Sequence, residues 1–341
     1  MRYSNLSRLA PRSYTVTATA AALALGIYTG SLVIMNQRRP LALADAGTTT
    51  TTTSSSTSAA TAKQVVFGGG LGFPFVSLPL ESAEMVTHDT KRLRFRLPSP
   101  DAVSGLPLTS AVLTMSWPKG SWTPVVRPYT PVSSSDEPGH MDFIIKHYPS
   151  GKQSTHIHSL HPGQTLTFLA MPIKGPRWKP SSSTSTSPSP EHVTLIAGGA
   201  GITPIYQLAK GILRDTSDTG TAMTLVFGVN TDKDVLLRDE LRDLERQHPS
   251  RFRAVYAVSE LSRAQAEEGE GTSDPQFRSG RISRELLEEV VPKPDRAGRV
   301  FICGPPAMET ALVGGGRWGS GGGRPGILEQ LGYQKSQIHR F

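Results

Sequence analysis

The stretch HVTLIAGGAGITPIYQLAKG, residues 192–211, decides the fold. An apolar run typical of a buried strand, Val193–Ala197, leads through the glycine-rich turn Gly198–Gly201 to a segment with helical apolar spacing, Ile205–Leu213. Pro204 suits the first turn of a helix, where a backbone N–H has no intrahelical acceptor. A strand, turn and helix in this order present free N–H groups to a phosphate. Because the spacing differs from GxGxxG, the stretch alone fits an ordinary α/β turn equally well.

Strands and helices alternate after residue 192, which predicts a doubly wound parallel sheet. The further predicted elements are strand Met223–Gly228, helix Leu236–Gln247, strand Phe252–Val258, helix Ser283–Val290, strand Val300–Cys303 and a helix after Pro306. The last strand ends in Cys-Gly-Pro-Pro, and ligands of open α/β sheets bind at such strand ends.

Residues 65–178 have the pattern of an antiparallel β-barrel, made of short strands separated by Pro, Gly and Ser clusters. In Lys91–Leu97 the apolar residues alternate, so that Leu93, Phe95 and Leu97 share one face. Further short runs are Val112–Met115, Phe143–Ile145 and Leu166–Leu169. The predicted fold class is therefore a two-domain chain: an antiparallel barrel, then an α/β parallel sheet over residues 192–341.

The chain has 341 residues and a net charge of +8. Residues 1–43 contain arginines and no acidic residue, as in a mitochondrial presequence, and account for part of this excess. Residues 14–35 carry no charge and are long enough to span a bilayer, so a membrane anchor is predicted there. Residues 44–64 are predicted to be a flexible Ser/Thr tether, and residues 179–191 a low-complexity linker.

Cys303 is the sole cysteine, which excludes intrachain disulfides and cysteine-based zinc or iron–sulfur sites. Four histidines, His147, His156, His158 and His161, lie close in sequence, but no carboxylate accompanies them, and no metal site is predicted. The sequence shows no Ser-His-Asp set, paired-carboxylate pattern or P-loop.

Two stretches of the barrel carry residues suited to a phosphorylated aromatic ligand. In RPYTP, Arg127 offers a bidentate fork for a diphosphate, Tyr129 shares its face of the strand and can stack on a planar ring, and Thr130 can bond a ring heteroatom. The alternative is a surface arginine before a turn. In KHYPSGKQST, Gly151 permits close backbone approach, and Ser154–Thr155 stand at the predicted start of a helix.

Taken in order, these motifs resemble the NADH–cytochrome b5 reductases of the ferredoxin–NADP reductase superfamily, and in particular their fungal mitochondrial form. The resemblance covers roughly residues 65–341. The stretches that carry it are RPYTPVS (127–133), IIKHYPSGKQSTHIHSLHPG (144–163), GGAGITPIYQLAKGI (198–212), DVLLRDEL (234–241), FICGPPAM (301–308) and GILEQLGYQKSQIHRF (326–341).

The resemblance implies a six-stranded FAD barrel, a pyridine-nucleotide domain, and hydride transfer from NADH to FAD followed by two one-electron transfers to the haem of cytochrome b5. The FAD residues that it implies are Arg127, Tyr129, Thr130, Lys146, Tyr148, Gly151, Lys152 and Ser154. On the nucleotide side it implies Gly198, Gly199, Gly201, Ile202, Thr203, Cys303, Gly304, Pro305, Met308 and the C-terminal Phe341. Of these, Thr203 and Cys303 are expected beside the reacting rings, as the catalytic positions.

The chain departs from the family pattern at several positions. Gln153, Ala170 and Ala200 stand where the family usually has other residues, and these changes are expected to shift flavin contacts. Ser259 replaces an aspartate that accepts a hydrogen bond from the adenosine ribose and repels a 2′-phosphate. Two hypotheses follow: specificity relaxes toward NADPH, with Arg263 close in sequence, or Glu260 takes over and NADH remains preferred.

The resemblance also implies a partner and a location. Lys91, Arg92, Arg94, Lys146 and Lys152 are candidates for a docking face that receives the acidic cytochrome b5, the alternative being a solvated strand edge. A monomer, held at the mitochondrial outer membrane or in the intermembrane space and with no nucleic-acid partner, is expected. The competing functions are a same-fold reductase with another acceptor and a degenerate family member that binds nucleotide without turnover.

Overall fold

A computed structural model of the chain describes residues 64–67, 75–178, 192–260, 276–294, 297–315 and 324–341. The predicted presequence and its anchor, the tether except for Gln64, and the linker lie outside these residues. Within the described part of the chain, no helix combines the length and the apolar character needed to cross a bilayer.

The first domain is a six-stranded antiparallel sheet. Its strands are β1 Phe75–Thr87, β2 Thr90–Arg96, β3 Ala111–Ser116, β4 Val125–Tyr129, β5 His140–Lys146 and β6 Thr165–Ile173, with helix α1, Lys152–His158, between β5 and β6. Their spatial order is β4-β3-β6-β1-β2-β5. Strands β4 and β5 are the two edges of this sheet. The sheet curls so that the segment after β4 reaches β5, where the N–H of Val132 donates to the carbonyl of Asp142 over 2.8 Å.

The concave side of this sheet is filled by side chains of alternate strand residues. Leu93, Phe95 and Leu97 are at most 3% exposed, which confirms the predicted inward face. The ring of Phe95 contacts those of Phe143 and Phe168, with centroid distances of 5.9 and 5.2 Å. Edge-on aromatic pairs of this kind each contribute about 0.5–1.5 kcal/mol beyond the area that they bury.

The second domain is the predicted parallel, doubly wound sheet. Its strands are β7 His192–Gly198, β8 Ala222–Thr231, β9 Phe252–Glu260, β10 Phe277–Ser279, β11 Ala297–Cys303 and β12 Ile338–Arg340, and its helices are α2 Ile202–Arg214, α3 Arg238–Gln247, α4 Arg284–Val290, α5 Pro306–Val313 and α6 Ile327–Gln330. The spatial order is β10-β9-β8-β7-β11-β12. Strand order reverses between β7 and β11, and open α/β sheets bind ligands at such a switch point.

Both faces of the parallel sheet are covered by helices. Leu195, Phe227 and Tyr256 belong to one buried cluster, together with residues of α2 and α3. Ile196 and Val255 belong to the opposite cluster, with residues of α4, α5 and α6. Successive residues of a strand point to opposite faces, so burial on both faces explains why the strands are continuous apolar runs.

Several predicted boundaries were displaced. Helix α2 begins three residues before the predicted Ile205, which places Pro204 in its first turn. Helix α3 begins at Arg238, because Leu237 has a left-handed backbone with φ of 57° and cannot continue a helix. Helix α1 begins at Lys152, two residues before the predicted start. Strands β8 and β9 extend beyond their predicted ends, since their pairing continues to Thr231 and Glu260.

The two sheets pack against each other directly. Val132 and Ile144 of the barrel domain belong to the same buried cluster as α2 and β7. The amide of Gln207, on α2, donates to the carbonyls of Pro131 and Ser133, each over 2.6 Å. The barrel residues that follow β4 are thereby held against the helix that follows the glycine turn.

Candidate active site

A cavity of about 1520 Å³ lies where the two sheets meet, and both domains line it. The sequence-predicted site residues that line this cavity are Tyr129, Thr130, Lys146, Tyr148, Gly198, Gly199, Gly201, Thr203, Cys303, Gly304, Pro305, Met308 and Phe341. Residues from distant parts of the sequence thus meet on one surface, at the switch point of the parallel sheet.

Glycines allow the ends of β7 and β11 to approach each other. A Cβ atom on Gly201 would stand 2.3 Å from the carbonyl oxygen of Cys303, and one on Gly198 would stand 2.6 Å from the sulfur of Met308. A Cβ on Gly304 would lie 2.3 Å from the terminal methyl of Met308. Packing against backbone therefore requires glycine at position 201, whereas a Cβ at Gly198 or Gly304 would first displace the flexible side chain of Met308.

Gly199 has a different reason to be glycine. Its φ of +51° lies in the left-handed region, and no described atom lies within 4 Å of the place where its Cβ would stand. It lines the cavity, so the backbone of the turn is open to a ligand there. An open backbone beside the N-terminus of α2 is suited to a pyrophosphate.

On the barrel side, Tyr129 at the end of β4 and Lys146 at the end of β5 line the cavity. Burial raises the pKa of Tyr129 to about 12, so its phenol remains protonated at neutral pH. The ammonium of Lys146 lies 2.7 Å from a carboxylate oxygen of Asp89. Burial acts to raise the pKa of Asp89, but hydrogen bonds from Lys146 and Thr90 outweigh it and lower that pKa. Lys146 is therefore held in place by its ion pair with Asp89.

A second group of predicted site residues lies outside the cavity. Arg127 is exposed, and its guanidinium donates to the carbonyl of Val126 over 2.8 Å. Lys152 is exposed, and Ser154 closes the turn before α1 by accepting from the N–H of Tyr148 over 3.1 Å. Gly151, which precedes α1, is required because a Cβ there would meet the hydroxyl of Ser154 at 2.6 Å.

Ile202 is fully buried in the core of the parallel sheet, so its side chain does not reach the cavity. Cys303 lines the cavity at the end of β11. Burial, and to a smaller extent the charge of Glu309, raises the pKa of this thiol to about 12. The thiol is therefore protonated at neutral pH and acts as a packing surface rather than as a nucleophile.

The C-terminal segment forms one wall of the cavity. Strand β12 pairs with β11, and the N–H of Phe341 donates to the carbonyl of Ile302 over 3.1 Å. The rings of His339 and Phe301 stack with centroids 5.0 Å apart. These contacts fix Phe341 beside Cys303 at the edge of the cavity.

The departures predicted to shift flavin contacts differ in position. Ala200 lines the cavity within the glycine turn. Gln153 is buried and points into the barrel, where its Oε1 accepts from Ser116 over 2.5 Å and its Nε2 donates to Thr114 over 2.8 Å. The hydroxyl of Thr114 in turn donates to the carbonyl of Arg127 over 3.2 Å. Gln153 thus joins α1 to the strand pair that carries Arg127. The side chain of Ala170 is outside the described part of the structure.

The histidines predicted not to form a metal site have other contacts. His158 bonds the carbonyl of Ile145 over 2.7 Å, and His147 bonds the hydroxyl of Thr155 over 3.1 Å. Burial lowers the pKa of His158. Among the described residues, a different trio, His88, Asp89 and Asp234, brings three possible ligand atoms within 4.8 Å of one another.

Most of the predicted docking cations are held by groups of the chain itself. Arg92 pairs with Glu240 at 2.7 Å, and Arg94 donates twice to the carboxylate of Asp142, both at 2.8 Å. The ammonium of Lys91 donates to the carbonyl of His158 over 2.8 Å. These contacts give Lys91, Arg92 and Arg94 structural roles, and docking by them stays a prediction.

Sequence reasoning missed further residues on the cavity wall, among them Asn230, Arg281 and Arg340. Arg281 follows strand β10, and the pairing of β10 with β9 brings it to the same cavity wall as Ser259. A basic residue directly after a short strand and a glycine, as in residues 277–281, is the one signal that the sequence offered.

Known protein families match both domains of this chain. A family model described as "Oxidoreductase FAD-binding domain" matches residues 77–178, and one described as "Oxidoreductase NAD-binding domain" matches residues 195–313. NADH-cytochrome b5 reductase 2 of Pyricularia oryzae is 45% identical over 269 residues, covering 78% of this chain and 76% of the relative. The chain belongs to the NADH–cytochrome b5 reductase family. The reductase 2 of Phaeosphaeria nodorum is 42% identical over 283 residues, covering 82% and 78% of the two chains.

Solved structures of reductase domains share the fold of this family member. The cytochrome b5 reductase domain of Ulva prolifera nitrate reductase superposes with a TM-score of 0.63 at 26% identity, covering 81% of this chain and all of that one. The CS-b5R domains of human Ncb5or, in their NAD⁺ form, give a TM-score of 0.59 at 25% identity, covering 78% and 69%. FAD and NADH are therefore the cofactors of this chain, and the cavity, the open turn at Gly199 and the half-buried Tyr129 fit them.

Proposed function

We propose that this reductase passes electrons from NADH, through FAD, to the haem of cytochrome b5. The observation that carries the proposal is the single cavity in which Tyr129 and Thr130 of the barrel face the glycine turn and Cys303 of the parallel sheet. A flavin held on one wall and a nicotinamide held on the other would meet there. When bound, FAD accepts a hydride from NADH and releases the electrons singly to a haem acceptor.

The chain's own contribution is to bind, to orient and to exclude water. Tyr129 and Thr130 supply an aromatic face and a hydroxyl on the flavin side. The turn around Gly199 offers its backbone to the dinucleotide diphosphate, and Thr203, on the first turn of α2, donates to the carbonyl of Ala200 over 3.3 Å and stiffens that turn. The neutral thiol of Cys303 would contact the nicotinamide without placing a charge beside it. The hydride step itself requires no acid–base residue, because it moves no proton to or from the protein.

The wall made by Phe341 keeps water from the place where the rings would meet. Lys146 lines the flavin side of the cavity, where its ion pair with Asp89 holds it in place. We propose that two exposed cations, Arg127 on β4 and Lys152 at the start of α1, bind the diphosphate of FAD.

An anaerobic stopped-flow titration of the purified full-length protein with NADH tests this function. We expect the flavin absorbance to bleach rapidly and to return when oxidised cytochrome b5 is added. Protein without flavin, or flavin that NADH does not bleach, would contradict the proposal and favour a degenerate nucleotide-binding role. Bleaching without reduction of cytochrome b5 would point to another acceptor.

We further propose that the chain is a monomer held at a mitochondrial membrane by residues 14–35. The arginine-rich, acid-free composition of residues 1–43 and the uncharged run within it support this location. Fractionation of mitochondria with alkaline extraction and protease protection tests it. Retention of full-length protein in the membrane pellet, and its release to the soluble fraction when residues 14–35 are deleted, are expected.

A further inference from the structure

The cavity extends from the glycine turn along the ends of β8 and β9. Gly228 and Asn230 line it on β8, and Ala257 and Ser259 line it on β9. A dinucleotide with its nicotinamide near Cys303 and its diphosphate at the glycine turn would place its adenosine half over these strand ends. This end of the cavity therefore decides which adenosine ribose the protein accepts.

Strand pairing brings Arg281 to this end of the cavity. Strand β10 runs parallel to β9, with Ser279 beside Val258, and the N–H of Gly280 donates to the carbonyl of Val258 over 2.7 Å. Gly280 has φ of +102°, so the chain turns there, and Arg281 follows on the cavity wall. Ser259 and Arg281 are both exposed.

Glu260 does not take the place of the missing acid. In β9, Val258 belongs to the buried cluster on the α2 and α3 side, and Ala257 to the cluster on the opposite side. Because side chains alternate, Ser259 shares the face of Ala257, whereas Glu260 points to the other face. Ser259 lines the cavity, and Glu260 does not. The hypothesis that Glu260 preserves NADH preference therefore lacks the required geometry.

The local charge also favours an anion. Among the described residues that line the cavity, Asp234 has the sole acidic side chain, and it accepts from the N–H and the hydroxyl of Thr231, over 3.0 and 2.9 Å. No carboxylate of the described lining accompanies Ser259 and Arg281. Arg263, the cation considered from sequence, lies outside the described residues, and Arg281 is the one that the structure supplies.

We propose that Ser259 and Arg281 form a binding site for the 2′-phosphate of NADPH, so that this reductase uses NADPH at least as efficiently as NADH. A guanidinium and a hydroxyl are ligands suited to a phosphate monoester, and no acidic side chain of the described lining stands beside them to repel one. The inference rests on the proposed function, which makes the cavity the nucleotide-binding site. It adds NADPH as a second electron donor beside NADH.

Calorimetric titration of the purified flavoprotein with adenosine 2′,5′-bisphosphate and with AMP tests the site without catalysis. We expect the bisphosphate to bind roughly ten- to 100-fold more tightly, as hydrogen bonds to a charged phosphate imply. Arg281→Gln should remove most of this difference and leave AMP binding unchanged. Ser259→Asp should remove it entirely, because the carboxylate repels the 2′-phosphate.

Arg284→Gln is the matched control, since Arg284 is exposed, lies three residues on, pairs with Glu288 and is absent from the cavity wall. It removes the same charge and should leave the preference for the bisphosphate within about twofold of the parent. The ratio of kcat/KM for NADPH to that for NADH, with ferricyanide as acceptor, should be one or more in the parent and should fall at least tenfold in Arg281→Gln.

Equal affinities for the bisphosphate and AMP in the parent protein, or an equal loss in Arg281→Gln and Arg284→Gln, would overturn the proposal. Failure of the proposed function would look different. A protein that does not reduce cytochrome b5 would still discriminate between the two adenosine nucleotides, because the titration requires neither acceptor nor turnover.

Discussion

At the scale of single residues, packing at the glycine turn sets the tightest limits. We expect Gly201→Ala to destabilise the protein by about 1–3 kcal/mol, because the new Cβ would stand 2.3 Å from the backbone oxygen of Cys303 and no side-chain rotation relieves the contact. The rate of flavin reduction by NADH should fall as well, since the clash separates the ends of β7 and β11. Thermal unfolding and stopped-flow absorbance measure the two effects.

Gly315→Ala is the control for that substitution. The nearest atom to a Cβ at Gly315 is a methyl of Thr310 at 3.7 Å, an ordinary contact. Its melting temperature and its hydride-transfer rate should match those of the parent. Equal behaviour of the two variants would show that the approach of β7 to β11 does not depend on Gly201.

A second prediction for a single residue concerns the buried amide of Gln153. Gln153→Met should lower the free energy of unfolding by about 1–3 kcal/mol, since inside the barrel the hydroxyl of Ser116 loses its acceptor and that of Thr114 loses its donor. Urea unfolding at constant m-value measures the change. Adding Ser116→Ala to this variant should restore part of the loss, because it removes the hydroxyl left unpaired, whereas Thr114 still donates to the carbonyl of Arg127. A combined variant that is less stable still would contradict this explanation.

The thiol of Cys303 allows a pH-dependent test. Its pKa rises from 9.0 to about 12 on folding, chiefly through burial. The native protein should therefore react with iodoacetamide far more slowly than the urea-unfolded chain, and its rate should still rise about tenfold per pH unit at pH 10, where the rate of the unfolded chain has levelled off above about pH 9. The raised pKa also means that the stabilising contribution of the neutral thiol is present below pH 9 and is lost as pH rises toward 12. Identical pH profiles for the native and unfolded thiol would refute the assignment.

At the scale of elements, the sequence was informative wherever a local pattern determines the structure. The strand β7, its glycine turn and α2 were predicted because an apolar run, glycines and helical spacing coincide within residues 192–213. Strands β10 and β12 were missed, since each has three residues and forms only through pairing with a distant strand. The inward direction of Gln153 was also beyond sequence reasoning, because a polar residue in a short helix is usually solvated.

The same distinction holds for the site. Tyr129 and Cys303 were predicted because each stands in a motif at the end of a strand, and Thr203 was predicted through the family resemblance; all three line the cavity. Arg281 was missed because its place beside Ser259 depends on the pairing of β9 with β10. Residues that share a site through non-local pairing leave no signature in their spacing, and only the three-dimensional arrangement reveals them.

At the scale of the whole molecule, function depends on the relative position of the two sheets. Gln207 donates to the carbonyls of Pro131 and Ser133, which follow the flavin-side residues Tyr129 and Thr130, and it lies on the helix that begins beside the glycine turn. We expect Gln207→Leu to slow hydride transfer from NADH by about ten- to 100-fold, because a displacement of about 1 Å between reacting groups has effects of this size. Single-turnover stopped-flow under anaerobic conditions measures the rate.

Glu240→Gln is the control for that substitution. It distinguishes a loss of alignment between the two domains from the loss of an arbitrary contact between them. It breaks the ion pair with Arg92, which also joins the two domains but is partly exposed and contributes about 0–1 kcal/mol. Its hydride-transfer rate should stay within about twofold of the parent, and both variants should retain their flavin. If Gln207→Leu transfers hydride at the parental rate, the alignment of the two walls does not depend on α2, and the packing of Val132 and Ile144 against the parallel sheet must be sufficient to maintain it.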